Sequence, residues 1–150
     1  MTSEDNPRVF VPPPLIFAAL LAFGLLIDSK PFVLGGMQVL ALAVGLAGFV
    51  SIGLALGLFR ASNTRPEPWR PASALVAGGI YRVTRNPMYL GMAMLSLAGA
   101  MFFASMPAGL LTILAMILVD RLVVEREEAY LARRFGEDYL AYRRAVRRWL

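Results

Sequence analysis

"NPMYLGMAMLSLAGAMFFASMPAGLLTILAMILV", residues 86–119, contains no Asp, Glu, Lys or Arg. About 20 apolar residues suffice to cross the hydrocarbon of a bilayer. The run is too long for one span, and Pro107 offers a break, so two helices are expected, about 88–104 and 107–124, joined by a tight turn. Residues 9–27 and 31–59 are also free of charged side chains. A soluble reading would need three long helices apolar on every face, which a chain of 150 residues cannot bury. The first span is expected at 14–27, after Pro12, Pro13 and Pro14, since proline is tolerated in a first helical turn. "DSKP" then turns the chain into a second span within 33–59. Here Gly45, Gly53 and Gly57 give a smooth face for close helix packing. The expected fold is an all-α integral membrane protein of about four transmembrane helices plus a C-terminal amphipathic interfacial helix, in a single domain over 1–150.

Charge sets the orientation. Arg60, Arg65, Arg70, Arg82 and Arg85 lie in the central connection, and eight arginines follow Asp120. The positive-inside rule then puts both termini and the central loop in the cytoplasm. The compact form suggests a prokaryotic plasma (inner) membrane. The net charge of +5 is accounted for by that rule and by anionic lipid headgroups, and not by nucleic acid. "MTSEDNPRVFVPPP" has acidic residues and prolines where a cleavable signal peptide has a basic region.

The chain has no cysteine and no histidine. Thiolate chemistry and the commonest general base are excluded, and no metal site is expected. Carboxylates, tyrosines, arginines, backbone groups or a cofactor must carry any reaction. In the tail, Phe135, Tyr139, Tyr142, Val146 and Trp149 recur at steps of four and three, one helical stripe. Arg143, Arg144, Arg147 and Arg148 occupy other faces, as in a basic helix lying at a membrane surface. Gly136 is expected to interrupt the helix before it.

Two polar clusters border the membrane on one predicted side: Tyr81, Arg82, Arg85, Asn86, Pro87 and Tyr89, and Arg121, Glu125, Arg126, Glu127 and Glu128. Asn86 as N-cap and Pro87 at the first position open the third span. Its N-terminus, with Arg82 and Arg85, makes a field suited to a carboxylate or phosphate. Glu127 and Glu128 would accept from ribose hydroxyls or an ammonium group, so an amino-acid headgroup suits the pair of clusters.

"LVAGGIYRVTRNPMYLG" (75–91) and "EEAYLARRFGEDYLAYRRAV" (127–146) resemble the two motif segments of the isoprenylcysteine carboxyl methyltransferase family of integral membrane enzymes. Its wider superfamily includes the phospholipid N-methyltransferases. The resemblance covers about 60–148. It implies an S-adenosylmethionine-dependent methyltransferase built from membrane helices, with cofactor-binding elements at 64–89 and 121–148. By position it implies cofactor contacts at Ser73, Ala74, Leu75, Val76, Tyr81, Asn86, Pro87, Met88, Tyr89, Glu127 and Glu128. It also implies catalytic roles for Arg85, Asn86, Tyr89 and Glu127.

The family's usual His is Asn86, which cannot titrate near neutrality, so a His base at this point is excluded. Val123 stands where eukaryotic members place a substrate-binding Arg; Arg121 and Arg126 lie near it and are the candidate substrate-binding residues. The expected acceptor is a carboxylate or other nucleophile of an amphiphilic or lipid-like molecule, among membrane lipids. The alternatives are a phospholipid N-methyltransferase and a non-enzymatic small membrane scaffold. A homodimer suits four short spans, although no residue argues for it.

Overall fold

The computed structural model describes residues 9, 11–31, 35–67 and 69–150. The acidic N-terminal stretch 1–8 and the expected start of the second span at 33–34 lie outside the described residues. Among the described residues every element is helical. The elements are α1 (Pro13–Ile27), α2 (Gly36–Ala61), a 3-10 turn (Gly79–Arg82), α3 (Pro87–Phe102), α4 (Met106–Val119), a π turn (Asp120–Val124), α5 (Glu125–Phe135) and α6 (Glu137–Ala145).

Among the described residues two helices are long and apolar enough to cross a membrane, Gly36–Ala61 and the continuous stretch Met106–Phe135. At 1.5 Å per residue they run about 39 Å and about 45 Å. α1, of 15 residues, and α3, of 16 residues, reach only about 22–24 Å, short of a hydrocarbon core of about 30 Å. Large apolar side chains crowd the outward face of α2, with Leu46 65% and Phe49 69% exposed. Such a surface is stable against lipid and not against water.

Proline and glycine place the helix ends and crossings. Pro13 and Pro87 stand in first turns, where a missing N–H costs nothing. The α3–α4 reversal uses Ala104 at φ 46° and Ser105, whose hydroxyl accepts from the Ala108 N–H at 3.3 Å. α2 packs on α3, α3 on α4, and α4 on α1. The α2–α3 crossing is set by Gly48 and Gly91: a Cβ on Gly91 would stand 2.6 Å from the Gly48 carbonyl oxygen. Gly24 similarly lies against the backbone of Ala108.

This corrects the expected glycine face. Gly45 touches Ala98, but added Cβ atoms on Gly53 and Gly57 would meet nothing within 4 Å. Which glycines meet a partner depends on the crossing point, and spacing along one helix does not contain it.

The tail also departs from expectation. α6 ends at Ala145, and Val146 is extended at φ −126° and ψ 135°. Trp149 therefore leaves the aromatic stripe. The chain beyond α6 turns onto the start of α3, where the Arg85 N–H donates to the Arg147 carbonyl at 3.0 Å. The Thr84 hydroxyl (2.9 Å) and the Asn86 side-chain amide (3.1 Å) donate to the Arg148 carbonyl. These bonds fasten the extended tail to the start of α3.

Candidate active site

The loop from α2 to α3 has no regular ladder, so its backbone groups need partners elsewhere. Ser73 closes it: its N–H donates to Thr64 Oγ1 at 3.0 Å and its hydroxyl to the Asn63 carbonyl at 2.9 Å. The Ala72 N–H donates to the Tyr130 hydroxyl of α5 at 3.0 Å. The Tyr142 hydroxyl of α6 donates to the Tyr81 carbonyl at 2.8 Å. Gly79 sits at φ +55°, a backbone conformation that calls for glycine. Tyr81 then turns inward, edge-on to Phe59 with ring centroids 5.9 Å apart.

The π turn at Asp120–Val124 adds a residue to one helical turn and so rotates everything beyond it by about 100°. Past it, Glu128 faces inward, with a side chain only 9% exposed. Two guanidinium groups neutralise it. Arg85 Nη2 lies 3.2 Å from Glu128 Oε1. Arg148 brings Nε to Oε1 at 3.1 Å and Nη2 to Oε2 at 2.7 Å. Arg148 Nη1 also reaches Asp120 at 3.3 Å, and Trp149 Nε1 donates to Asp120 Oδ1 at 3.1 Å. A carboxylate this buried is tolerable only with such pairing.

Arg85 is drawn into this network, and its Nη1 also donates to the Tyr139 hydroxyl at 3.4 Å. Asn86 opens α3, yet its side chain makes no cap bond; its amide serves the Arg148 carbonyl instead. Its own N–H is held by Thr84 Oγ1 at 3.2 Å. The expected side-chain cap is therefore not made: the Asn86 side chain is turned so that its Nδ2 donates to the tail.

Between the loop and α5 lies an open cleft, walled by the loop, the start of α3, α5 and α6. Ala74, Leu75, Val76 and Tyr81 line it from the loop. Arg85, Asn86, Met88 and Tyr89 line it from the start of α3, and Glu127 and Glu128 from α5. The Tyr89 hydroxyl donates to Glu127 Oε1 at 2.9 Å, tying α3 to α5 across it. Two buried polar atoms of the cleft walls have no hydrogen-bond partner among the described residues: Arg85 Nε, a donor, and Glu67 Oε2, an acceptor.

Tyr81 and Tyr142 are held neutral. Burial, then the nearby Glu127 carboxylate and Tyr142, pushes the Tyr81 hydroxyl well above its ordinary value. Burial does the same for Tyr142, against the pull of Arg85.

Four of the expected site residues lie off the cleft walls. Ser73 closes the loop instead. Pro87 is buried behind the site, its carbonyl accepting from Ser51 Oγ of α2 at 2.8 Å. Arg121 points outward with its side chain 70% exposed, toward Asp120 and Glu125. Arg126 is exposed on the outer side of α5. Val123, by contrast, is 1% exposed, in the apolar core with Phe17, Tyr89 and Val119.

Sequence reasoning passed over Glu67, Phe59 and Tyr130, and read Tyr139, Tyr142 and Arg148 as parts of a surface helix. The aromatic stripe was a usable signal for Tyr139 and Tyr142. Nothing in "RPEPWRP" (65–71) marks Glu67.

A family model described as phospholipid methyltransferase matches residues 36–138. An uncharacterized protein of Haemophilus influenzae is 35% identical over 63 residues, which is 42% of this chain and all of that protein. No solved structure matches.

Proposed function

Because the chain belongs to the phospholipid methyltransferase family, we propose that it is an S-adenosylmethionine-dependent methyltransferase of the membrane, acting on an amphiphilic or lipid-like acceptor. The observation that carries this reading is the cleft bridged by Tyr89 and Glu127. It opens where α3 and the Met106–Phe135 helix leave their apolar stretches. Its walls carry an unmet donor on Arg85 and an unmet acceptor on Glu67, the complement of a ligand with both a carboxylate and an ammonium group. Aromatic and aliphatic walls from Phe59, Tyr81, Leu75 and Val76 suit a purine.

The cofactor supplies a sulfonium-bound methyl group, which is electrophilic without help from the protein. The chain's part is positioning, which can lower a barrier by roughly 7–11 kcal/mol at the upper end. Arg85 Nε would hold a carboxylate. Glu127, oriented by the Tyr89 hydroxyl, would accept hydroxyl donors and, for an amine acceptor, the proton that the nitrogen sheds. The outward apolar side chains of α3 and α4 would hold the acceptor's tail in the bilayer.

For the acceptor, a lipid amine is favoured over a lipid carboxylate. Val123 is buried in the apolar core and Arg121 points away, so neither of these two positions supplies a cation for a substrate carboxylate. The arginine distribution supports four spans with both termini and the 62–86 loop in the cytoplasm. α1 and α3 would then cross a locally thinned bilayer. A bacterial relative agrees with a prokaryotic plasma membrane.

The test is to incubate membranes containing the protein with methyl-tritiated S-adenosylmethionine and separate the lipids. Label in methylated phosphatidylethanolamine, absent with Glu127→Gln, is the expected result. Label in an alkali-labile methyl ester instead would move the acceptor to a carboxylate. Equal labelling with wild type and variant would remove Glu127 from the site.

A further inference from the structure

We infer that Glu67 receives the α-ammonium group of the bound cofactor; this rests on the methyltransferase reading above. Three carboxylates line the cleft, Glu67, Glu127 and Glu128. Glu128 is consumed by Arg85 and Arg148, and Glu127 Oε1 is engaged by Tyr89. Glu67 Oε2 is buried and has no hydrogen-bond partner among the described residues. Arg65 and Arg70 line the same cleft, yet no ion pair among the described residues reaches Glu67.

A buried carboxylate oxygen without a donor is costly, and the cost is relieved best by a charged donor. A primary ammonium brings three N–H donors and the missing positive charge.

The position is held and not merely available. The Arg70 N–H donates to the Glu67 carbonyl at 3.1 Å. Bonds from Ser73 to Thr64 and Asn63 fasten the loop on one side, and the Ala72 bond to Tyr130 fastens it on the other. The unmet donor of Arg85 lines the same cleft, so its walls offer a group for each charge of a zwitterionic ligand end. That arrangement assigns the ammonium to the loop and leaves Glu127 for hydroxyl donors or the acceptor's proton.

Four calorimetric titrations of the full chain in detergent decide the matter: wild type and Glu67→Gln, each with S-adenosylhomocysteine and with its deaminated analogue. Charged hydrogen bonds of this kind are worth about tenfold to a hundredfold in affinity. Glu67→Gln is expected to weaken S-adenosylhomocysteine by that factor and to leave the deaminated analogue unchanged, which also shows that the variant is folded. Equal binding of S-adenosylhomocysteine by both proteins overturns the inference. So does an equal loss for both ligands, which would place Glu67 on another part of the molecule or in the loop's stability. Failure of the wild type to bind either ligand would overturn the cofactor reading itself, and this inference with it.

Discussion

Arg148→Ala removes the centre of the tail's attachment. The side chain gives Glu128 two short bonds, 2.7 and 3.1 Å, and reaches Asp120 at 3.3 Å. Breaking a buried ion pair costs about 3–5 kcal/mol, and breaking an exposed one about 0–1 kcal/mol. Arg148 lies between these limits, with its side chain 29% exposed against 9% for Glu128. Glu128 also keeps Arg85 at 3.2 Å, so it is not left alone. The expected loss is about 2–3 kcal/mol, taken from that range.

A double-mutant cycle with Glu128→Gln isolates the pair, with a coupling of about 1.5 kcal/mol or more expected for charged hydrogen bonds. Unfolding in detergent, followed by circular dichroism and by tryptophan fluorescence, reads both quantities. Trp149 is a local reporter, because its indole N–H bonds to the same Asp120. A variant within about 0.5 kcal/mol of wild type, the size of an ordinary surface change, would refute the view that the tail is strapped by this network.

Gly91→Ala is expected to destabilise by about 1–3 kcal/mol, the usual cost of overpacking, because its Cβ would meet Gly48 oxygen and Ile52. Gly53→Ala, with nothing within 4 Å, should leave the same melt unchanged or raise it slightly. Tyr89→Phe removes the hydroxyl that orients Glu127 and is expected to weaken S-adenosylhomocysteine about tenfold by titration, the worth of one charged hydrogen bond. Tyr81 and Tyr142 are both held above their ordinary value near 10 by burial. Their neutral forms are favoured in the fold, so their contribution is complete below pH 10 and is lost as pH rises beyond it. Tyrosinate absorbance should lag behind that of the unfolded chain above pH 10, and coincident curves would show those hydroxyls to be solvated.

What the sequence made legible was mostly local. Asn86-Pro87 announced the start of α3, and Gly136, at φ +53°, separates α5 from α6 where its residue type suggested. The arginine, tyrosine and glutamate clusters were recognisable because charged groups beside an uncharged run stand out, and the fold brings Arg85, Asn86, Tyr89, Glu127 and Glu128 to one cleft. What stayed hidden needed a partner from elsewhere in the chain. The contact of Gly48 with Gly91 depends on where two helices cross. The π turn at Asp120–Val124 has no sequence mark, and it carries Arg121 outward while Glu128 goes in. Arg148 read as one of several tail arginines until the backbone beyond Ala145 left the helix. Glu67 gave no signal, since what singles it out is a buried oxygen with no partner among the described residues.

The measurement closest to the central claim is equilibrium binding of tritiated S-adenosylmethionine to the purified protein in lipid nanodiscs, beside the Glu127→Gln variant. The account predicts saturable binding at one site per chain in the wild type and at least tenfold weaker binding in the variant, the loss of one or more charged hydrogen bonds. No saturable binding by the wild type would contradict it, and would leave the two polar clusters as anchors of a small membrane scaffold.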